Sequence, residues 1–244
     1  MQHKLFFLHI PKCGGTSLDA AIRAGYSAPA DLIAHVRLDP VASLRAAKLA
    51  GVDAGVLSQS LLYYFMAQAG VRYISGHFTY CETAHRTFGS EWEFITLLRH
   101  PVARWFSHYF YNRYKPGEHY RISEDLPTFV TSPRALRLAN ASVLQLTGRG
   151  MDEILARPRQ CAFEAIANLE KFALVGCLER LDTFISQFAE RYGARLDVPR
   201  LQTNPAPPSL QAAQIDDALR QRVEEMCRMD VQVYEHALSR WVRS

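Results

Sequence analysis

Hydrophobic residues along this chain fall into short unbroken runs separated by longer stretches at helical spacing. Leu5 to Ile10 is such a run and predicts a buried strand. Gly14-Gly15 breaks it, and Thr16-Ser17-Leu18-Asp19-Ala20-Ala21-Ile22 opens a helix. Further strands are predicted at 71–75, 93–98 and 172–176, and helices at 41–50, 58–69, 132–146, 161–171 and 178–192. A helix starting at Pro101 places Val102, Trp105, Phe106 and Tyr109 on a core face. Arg104, Ser107, His108 and Tyr111 fall on the opposite face, available to a site. Ile215, Leu219, Val223 and Met226 mark another helix, with a partner continuing to Trp241. Residues 26–57, punctuated by Pro29 and Pro40, are harder to assign, and 199–208 is a proline-rich loop. Strands alternating with helices predict an α/β fold: a P-loop-like three-layer α/β/α arrangement, its central sheet mostly parallel and flanked by helices. A length of 244 residues suits one domain spanning 1–244.

Composition narrows the function. A formal net charge of +4 is too small to argue for nucleic acid. Its placement matters more: Arg99, Arg104, Arg113, Lys115 and Arg121 crowd residues 99–121 with Glu118 as the single acid, which suggests an anionic ligand. Cys13, Cys81, Cys161, Cys177 and Cys227 are odd in number and scattered. They fit neither a disulfide framework nor a zinc pattern, and are expected to be buried free thiols in a reducing compartment. The apolar stretch Leu5–Leu8 is too short for a signal peptide, and no run approaches a membrane span, so a soluble cytoplasmic protein is expected.

The chemistry concentrates in His9-Ile10-Pro11-Lys12-Cys13-Gly14-Gly15-Thr16-Ser17. A helix N-terminus carries unpaired N–H groups and partial positive charge, and glycines let the backbone approach an anion closely. Thr16 and Ser17 add hydroxyls, and Lys12 adds a full charge. The usual triphosphate loop, G-x-x-x-x-G-K-[ST], places its lysine after the glycines; here it comes before them. The predicted strands also lack an evident terminal aspartate for Mg²⁺, two of them ending at His77 and Arg99. Sulfuryl transfer needs such a metal less, because the moving group carries less negative charge.

HIPKCGGTSL resembles the 5′-phosphosulfate loop of sulfotransferases that use 3′-phosphoadenosine-5′-phosphosulfate (PAPS), closest to the carbohydrate branch that includes heparan sulfate 2-O-sulfotransferase. LLRHPVARWFSHYFY is similar to that family's second motif, a strand ending in Arg followed by Pro and a helix with Ser eight residues after the Arg. The resemblance implies that Lys12, Cys13, Gly14, Gly15, Thr16 and Ser17 hold the phosphosulfate, and that Arg99 and Ser107 hold the 3′-phosphate. Ser75-Gly76-His77-Phe78 matches a third motif and implies His77 as catalytic base, with His9 and His108 as lesser candidates. His100 stands where the family often has Asp and bears on how Arg99 is oriented. Asp230 and Tyr234 match a structural pair in the family's last helix, and Thr203-Asn204, in the proline-rich loop, could reach the adenine or 3′-phosphate.

The resemblance thus implies a bacterial-type soluble enzyme that transfers sulfate from PAPS, without a metal, to a hydroxyl of a saccharide or glycolipid, releasing adenosine 3′,5′-bisphosphate. Lys12 would stabilise the leaving phosphate and His77 would take the acceptor's proton. Two other readings stay open at this level: a P-loop nucleotide kinase, and a non-catalytic binder of anionic glycans using the basic aromatic stretch 99–121.

Overall fold

A computed structural model of the chain describes residues 3–26, 35–201 and 203–242; Pro29 lies outside them. In chain order the elements are β1 (Lys4–Leu8), α1 (Gly15–Ala24), β2 (His35–Arg37), α2 (Pro40–Ala50), α3 (Ala54–Ala67), β3 (Tyr73–Gly76), α4 (Glu82–Phe88), β4 (Trp92–Leu98) and α5 (Pro101–Tyr114). There follow α6 (Leu126–Phe129), α7 (Pro133–Ala139), α8 (Ala141–Thr147), α9 (Met151–Ala156), α10 (Pro158–Leu169), β5 (Leu174–Cys177), α11 (Leu181–Tyr192), α12 (Pro208–Gln214), α13 (Asp217–Met226) and α14 (Arg228–Trp241).

The five strands form one sheet in the order β2-β3-β1-β4-β5, and every neighbouring pair is parallel. Alternate residues face opposite ways along a strand. Phe6, Leu8, Ile74, Phe94 and Val175 therefore pack with Leu62 and Met66 of α3, Val143 of α8, and Val233 and Ala237 of α14. Leu5, Phe7, Tyr73, Ile95 and Leu174 pack on the other side with Leu18 and Ile22 of α1 and Phe184 and Phe188 of α11. Burial on both faces explains the continuous apolar runs in the sequence. The fold is the expected three-layer α/β/α.

A third apolar cluster lies around α5. Val102, Trp105, Phe106 and Tyr109 pack against Leu126 and Phe129 of α6, Ala135 and Leu138 of α7, and Val223 of α13, which bears out the core face of that helix. All five cysteines are free and buried.

Three expectations are corrected. Arg104 is not part of an open polar face. It is fully buried, 3.7 Å from the equally buried carboxylate of Asp230, and its guanidinium donates to the Leu138 carbonyl. The helix expected over 132–146 is two helices, α7 and α8, separated at Asn140 (φ −113°). The cause is the same carboxylate: Asp230 accepts from the backbone N–H groups of Ser142 (2.8 Å) and Val143 (3.0 Å), capping α8 from a distant helix. The segment predicted as a helix from Leu178 begins as a 3₁₀ turn over Leu178–Arg180.

Removing Asp230 would leave Arg104 charged in a dry interior and α8 uncapped. Asp230→Ala is expected to lower stability by about 3–5 kcal/mol. Urea unfolding measures this; a loss under about 1 kcal/mol would show that the pair matters little.

Candidate functional site

β1 sits between β3 and β4, so the chain leaves its carboxyl end at the point where strand order reverses, where open α/β sheets bind ligands. The His9 N–H donates to the Gly76 carbonyl (2.9 Å), and the buried Thr96 hydroxyl donates to the Leu8 carbonyl (2.8 Å). These bonds tie the ends of β3 and β4 to the exit of β1.

The loop then turns tightly. Gly14 is left-handed (φ 77°), as is Lys12 (φ 66°), a conformation that costs a residue with a side chain on the order of 1–2 kcal/mol. Gly15 is needed for space: a Cβ there would lie 2.1 Å from His9 Cδ2. Helix α1 makes its first backbone bond from Leu18 N–H to the Gly14 carbonyl. The N–H groups of Gly14, Gly15, Thr16 and Ser17 have no acceptor among the described residues. Leu201 N–H donates to the Ser17 hydroxyl (3.2 Å), drawing the proline-rich loop over this helix end. The Cys13 thiol is buried, and burial pushes its pKa up to about 12, so the residue contributes backbone and not thiolate.

Cations converge on this cradle. The Lys12 ammonium lies 3.6 Å from the centre of the Tyr111 ring on α5, and Lys115 is 5.7 Å from the same centre. Arg99, leaving β4, donates to the Lys12 carbonyl (3.2 Å). Burial, then repulsion from Arg99 and Lys115, lowers the Lys12 pKa to about 8. Lys12, Arg99 and Lys115 have no carboxylate partner among the described residues, whereas Asp19, Glu93 and Glu170 are each engaged by cations elsewhere. Ser107, one turn before Tyr111 on α5, is half-buried, and its hydroxyl has no protein partner among the described residues.

The histidines occupy the β3 side. His77 follows β3 and is exposed, and its Nδ1 lies 2.7 Å from the His9 carbonyl. A carbonyl only accepts, so Nδ1 carries the proton and Nε2 the lone pair. Loss of hydration lowers the His77 pKa, opposed by that bond. The His9 ring is buried, 4.5 Å from that of His77, and burial holds its pKa well below the ordinary value. His108 on α5 has a buried Nδ1 without a partner; burial, then the nearby positive charges of Arg104, Lys12 and Lys115, depresses its pKa to about 3.

The fold therefore gathers Lys12, the 13–17 loop, Arg99 and His77 around one sheet edge, as expected from the sequence. Other expectations resolve differently. His100 does not orient Arg99: its backbone N–H donates to Glu179 and its ring packs on Tyr234. Asn204 closes its own turn by accepting from Ala206 N–H. Asp230 and Tyr234, by contrast, are structural as expected, the latter donating to Glu179 (2.9 Å). Of the aromatics, Trp105, Phe106, Tyr109 and Phe110 are core, while Tyr111 faces Lys12. Gln145 was missed: it donates to the His9 carbonyl (3.1 Å) and the Phe78 carbonyl (3.0 Å), and no local pattern marks it.

Site and fold together define a parallel α/β protein with clustered cations and open backbone N–H groups at the switch point. No protein-family model matches the chain, and no curated protein matches it. Among solved structures it is similar to the mouse sulfotransferase SULT7A1 complexed with PAP, at 14% identity and a TM-score of 0.39. That likeness covers 92% of this chain and 64% of the mouse protein, so the chain spans less than two thirds of its length. A likeness at this level assigns neither ligand nor activity. Among the described residues, no helix is long and apolar enough to cross a membrane, and no group of three or more His, Cys, Asp or Glu could hold a metal ion.

Gly15→Ala would drive its methyl into the His9 ring and is expected to cost about 1–3 kcal/mol. Combining it with His9→Ala should return part of the loss, because the obstruction is removed. Thermal unfolding of both single variants and the double tests this; strictly additive losses would refute the contact.

Proposed function

We propose that this chain is, as one domain, a PAPS-dependent sulfotransferase that moves a sulfuryl group to a hydroxyl of a carbohydrate or glycoconjugate acceptor. The observation that carries the reading is the meeting of three cations without a carboxylate partner and four open N–H donors at a helix N-terminus. A dianionic phosphosulfate fits that set, since it supplies the charge and acceptors the protein lacks there. The sequence resemblance supports the choice of sulfate over phosphate.

In this reading the N–H groups of residues 13–17 and the Thr16 and Ser17 hydroxyls hold the phosphosulfate. Arg99 and Ser107 hold the 3′-phosphate. When bound, PAPS supplies the sulfuryl group and a leaving phosphate. Lys12 donates to the oxygen on which charge develops as the sulfur–oxygen bond breaks, an electrostatic role. His77 Nε2 takes the acceptor's proton as its oxygen bonds to sulfur. Adenosine 3′,5′-bisphosphate departs with the bond's electron pair.

Calorimetry with adenosine 3′,5′-bisphosphate against ATP–Mg²⁺ separates this reading from a kinase, and mass spectrometry of acceptor mixtures incubated with PAPS identifies the product. Binding of the bisphosphate without turnover on any hydroxyl acceptor, or preference for ATP–Mg²⁺, would sink it.

The lowered Lys12 pKa gives a signed expectation. The ammonium is largely intact below pH about 8 and is lost as pH rises through that value. An anion favours the protonated form, so bisphosphate affinity should be flat near neutrality and fall above pH about 8. Lys12→Met should bind more weakly and lose this alkaline fall, as titrations across pH will show.

His77→Ala should lower kcat by roughly 10²–10⁴-fold while leaving bisphosphate affinity within about twofold. In the wild type, the His77 pKa lies below the ordinary imidazole value, so activity should rise with pH and level off before neutrality. An unchanged kcat in the variant would remove His77 as the base.

A further inference from the structure

Gln145 lies on α8, distant in sequence from every motif of the site, yet both of its amide donors are spent beside His77. One reaches the His9 carbonyl (3.1 Å), which also receives His77 Nδ1–H (2.7 Å); the other reaches the Phe78 carbonyl (3.0 Å) of the residue following His77. The Gln145 backbone carbonyl in turn accepts from Tyr80 N–H (2.6 Å). The turn bearing His77 is thus held on its far side by one residue, and the loop leaving β1 is held by the same side chain. Both acceptors are carbonyls, so the amide must present its NH₂ to them.

Its anchorage is firm. Asp230 caps the first turn of α8, and the Asn168 amide donates to the Leu146 carbonyl (2.9 Å). The buried Arg104–Asp230 pair, α8, Gln145 and the His9 carbonyl form a continuous path from the core to the imidazole.

We infer that Gln145 is a positioning residue for His77: by fixing the His9 and Phe78 carbonyls it holds the imidazole in the tautomer with its lone pair on Nε2 and aims that nitrogen. An imidazole free to exchange tautomers or to swing spends part of its time with a proton on the nitrogen that must receive one. Gln145 also shares the His9 carbonyl with His77. Its removal frees that carbonyl to move off Nδ1, and a looser bond holds the Nδ1 proton less firmly and lowers the pKa.

The role in catalysis rests on the sulfotransferase reading; the hold on the imidazole does not, and two measurements separate them. The variant is Gln145→Met, similar in length and without donors, compared with wild type. The first measurement is ¹⁵N NMR of the His77 ring across pH. The wild type should show one neutral tautomer, protonated at Nδ1; the variant should show tautomer exchange and a pKa lowered by several tenths of a unit. An unchanged tautomer and pKa in a folded variant would overturn the inference, whatever the activity. The second is steady-state sulfate transfer, where kcat should fall at least tenfold, the bisphosphate Kd should stay within twofold, and the acid limb should move to lower pH. A loss of stability with kcat and acid limb unchanged would reduce Gln145 to a structural residue and overturn the inference. If the NMR shift appears and no transfer is found even in wild type, the positioning stands and the sulfotransferase reading falls. Should Gln145→Met fail to fold, Gln145→Asn supplies the same two tests, since its shorter amide cannot span both carbonyls.

Discussion

The carboxylate of Asp230 is the constraint from which the rest of this structure is arranged. It sits in a dry interior with two obligations, to neutralise Arg104 and to cap α8. Burial raises its pKa, while Arg104 and the two N–H groups act to keep it ionised. Such a pair contributes little when complete, because desolvation offsets attraction; it is costly when broken. Its value here is directional. It divides what the helical pattern presents as one helix into two, and it ties both α5 and the first turn of α8 to α14.

Much of this was legible in local pattern. The strands buried on both faces stand out as unbroken apolar runs, and Gly14-Gly15 ahead of hydroxyl residues marks the loop before α1. Lys12, Arg99 and His77 could be found because each sits at or just beyond a strand end, where the fold class itself directs attention. The illegible parts depend on partners far along the chain. A helical wheel places Arg104 beside His108 and Tyr111, and only Asp230, contributed by α14, shows that it belongs to the core. Gln145 looks like any polar residue of a helix. β2 escaped notice because it is a three-residue edge strand, mostly exposed, with no apolar run to announce it.

The site carries a tension that its geometry does not relieve internally. Three cations lie close together with aromatic and backbone groups between them in place of carboxylates. Lys12 responds by loosening its proton, and its left-handed backbone adds strain. A protein selected only for stability would place an acid here. The arrangement makes sense if an anion completes it, since binding would then tighten the Lys12 proton and stabilise the folded chain by mass action.

The acceptors that wire the crevice are the carbonyls of Leu8, His9 and Lys12, receiving Thr96, His77 with Gln145, and Arg99 respectively. Every amino acid carries a carbonyl, so half of each of these bonds is written in the path of the chain and leaves no trace in its letters. Two chains could therefore share this wiring while agreeing at few positions, and divergence in such a lineage would erase the spelling of the loop well before it erased the circuit.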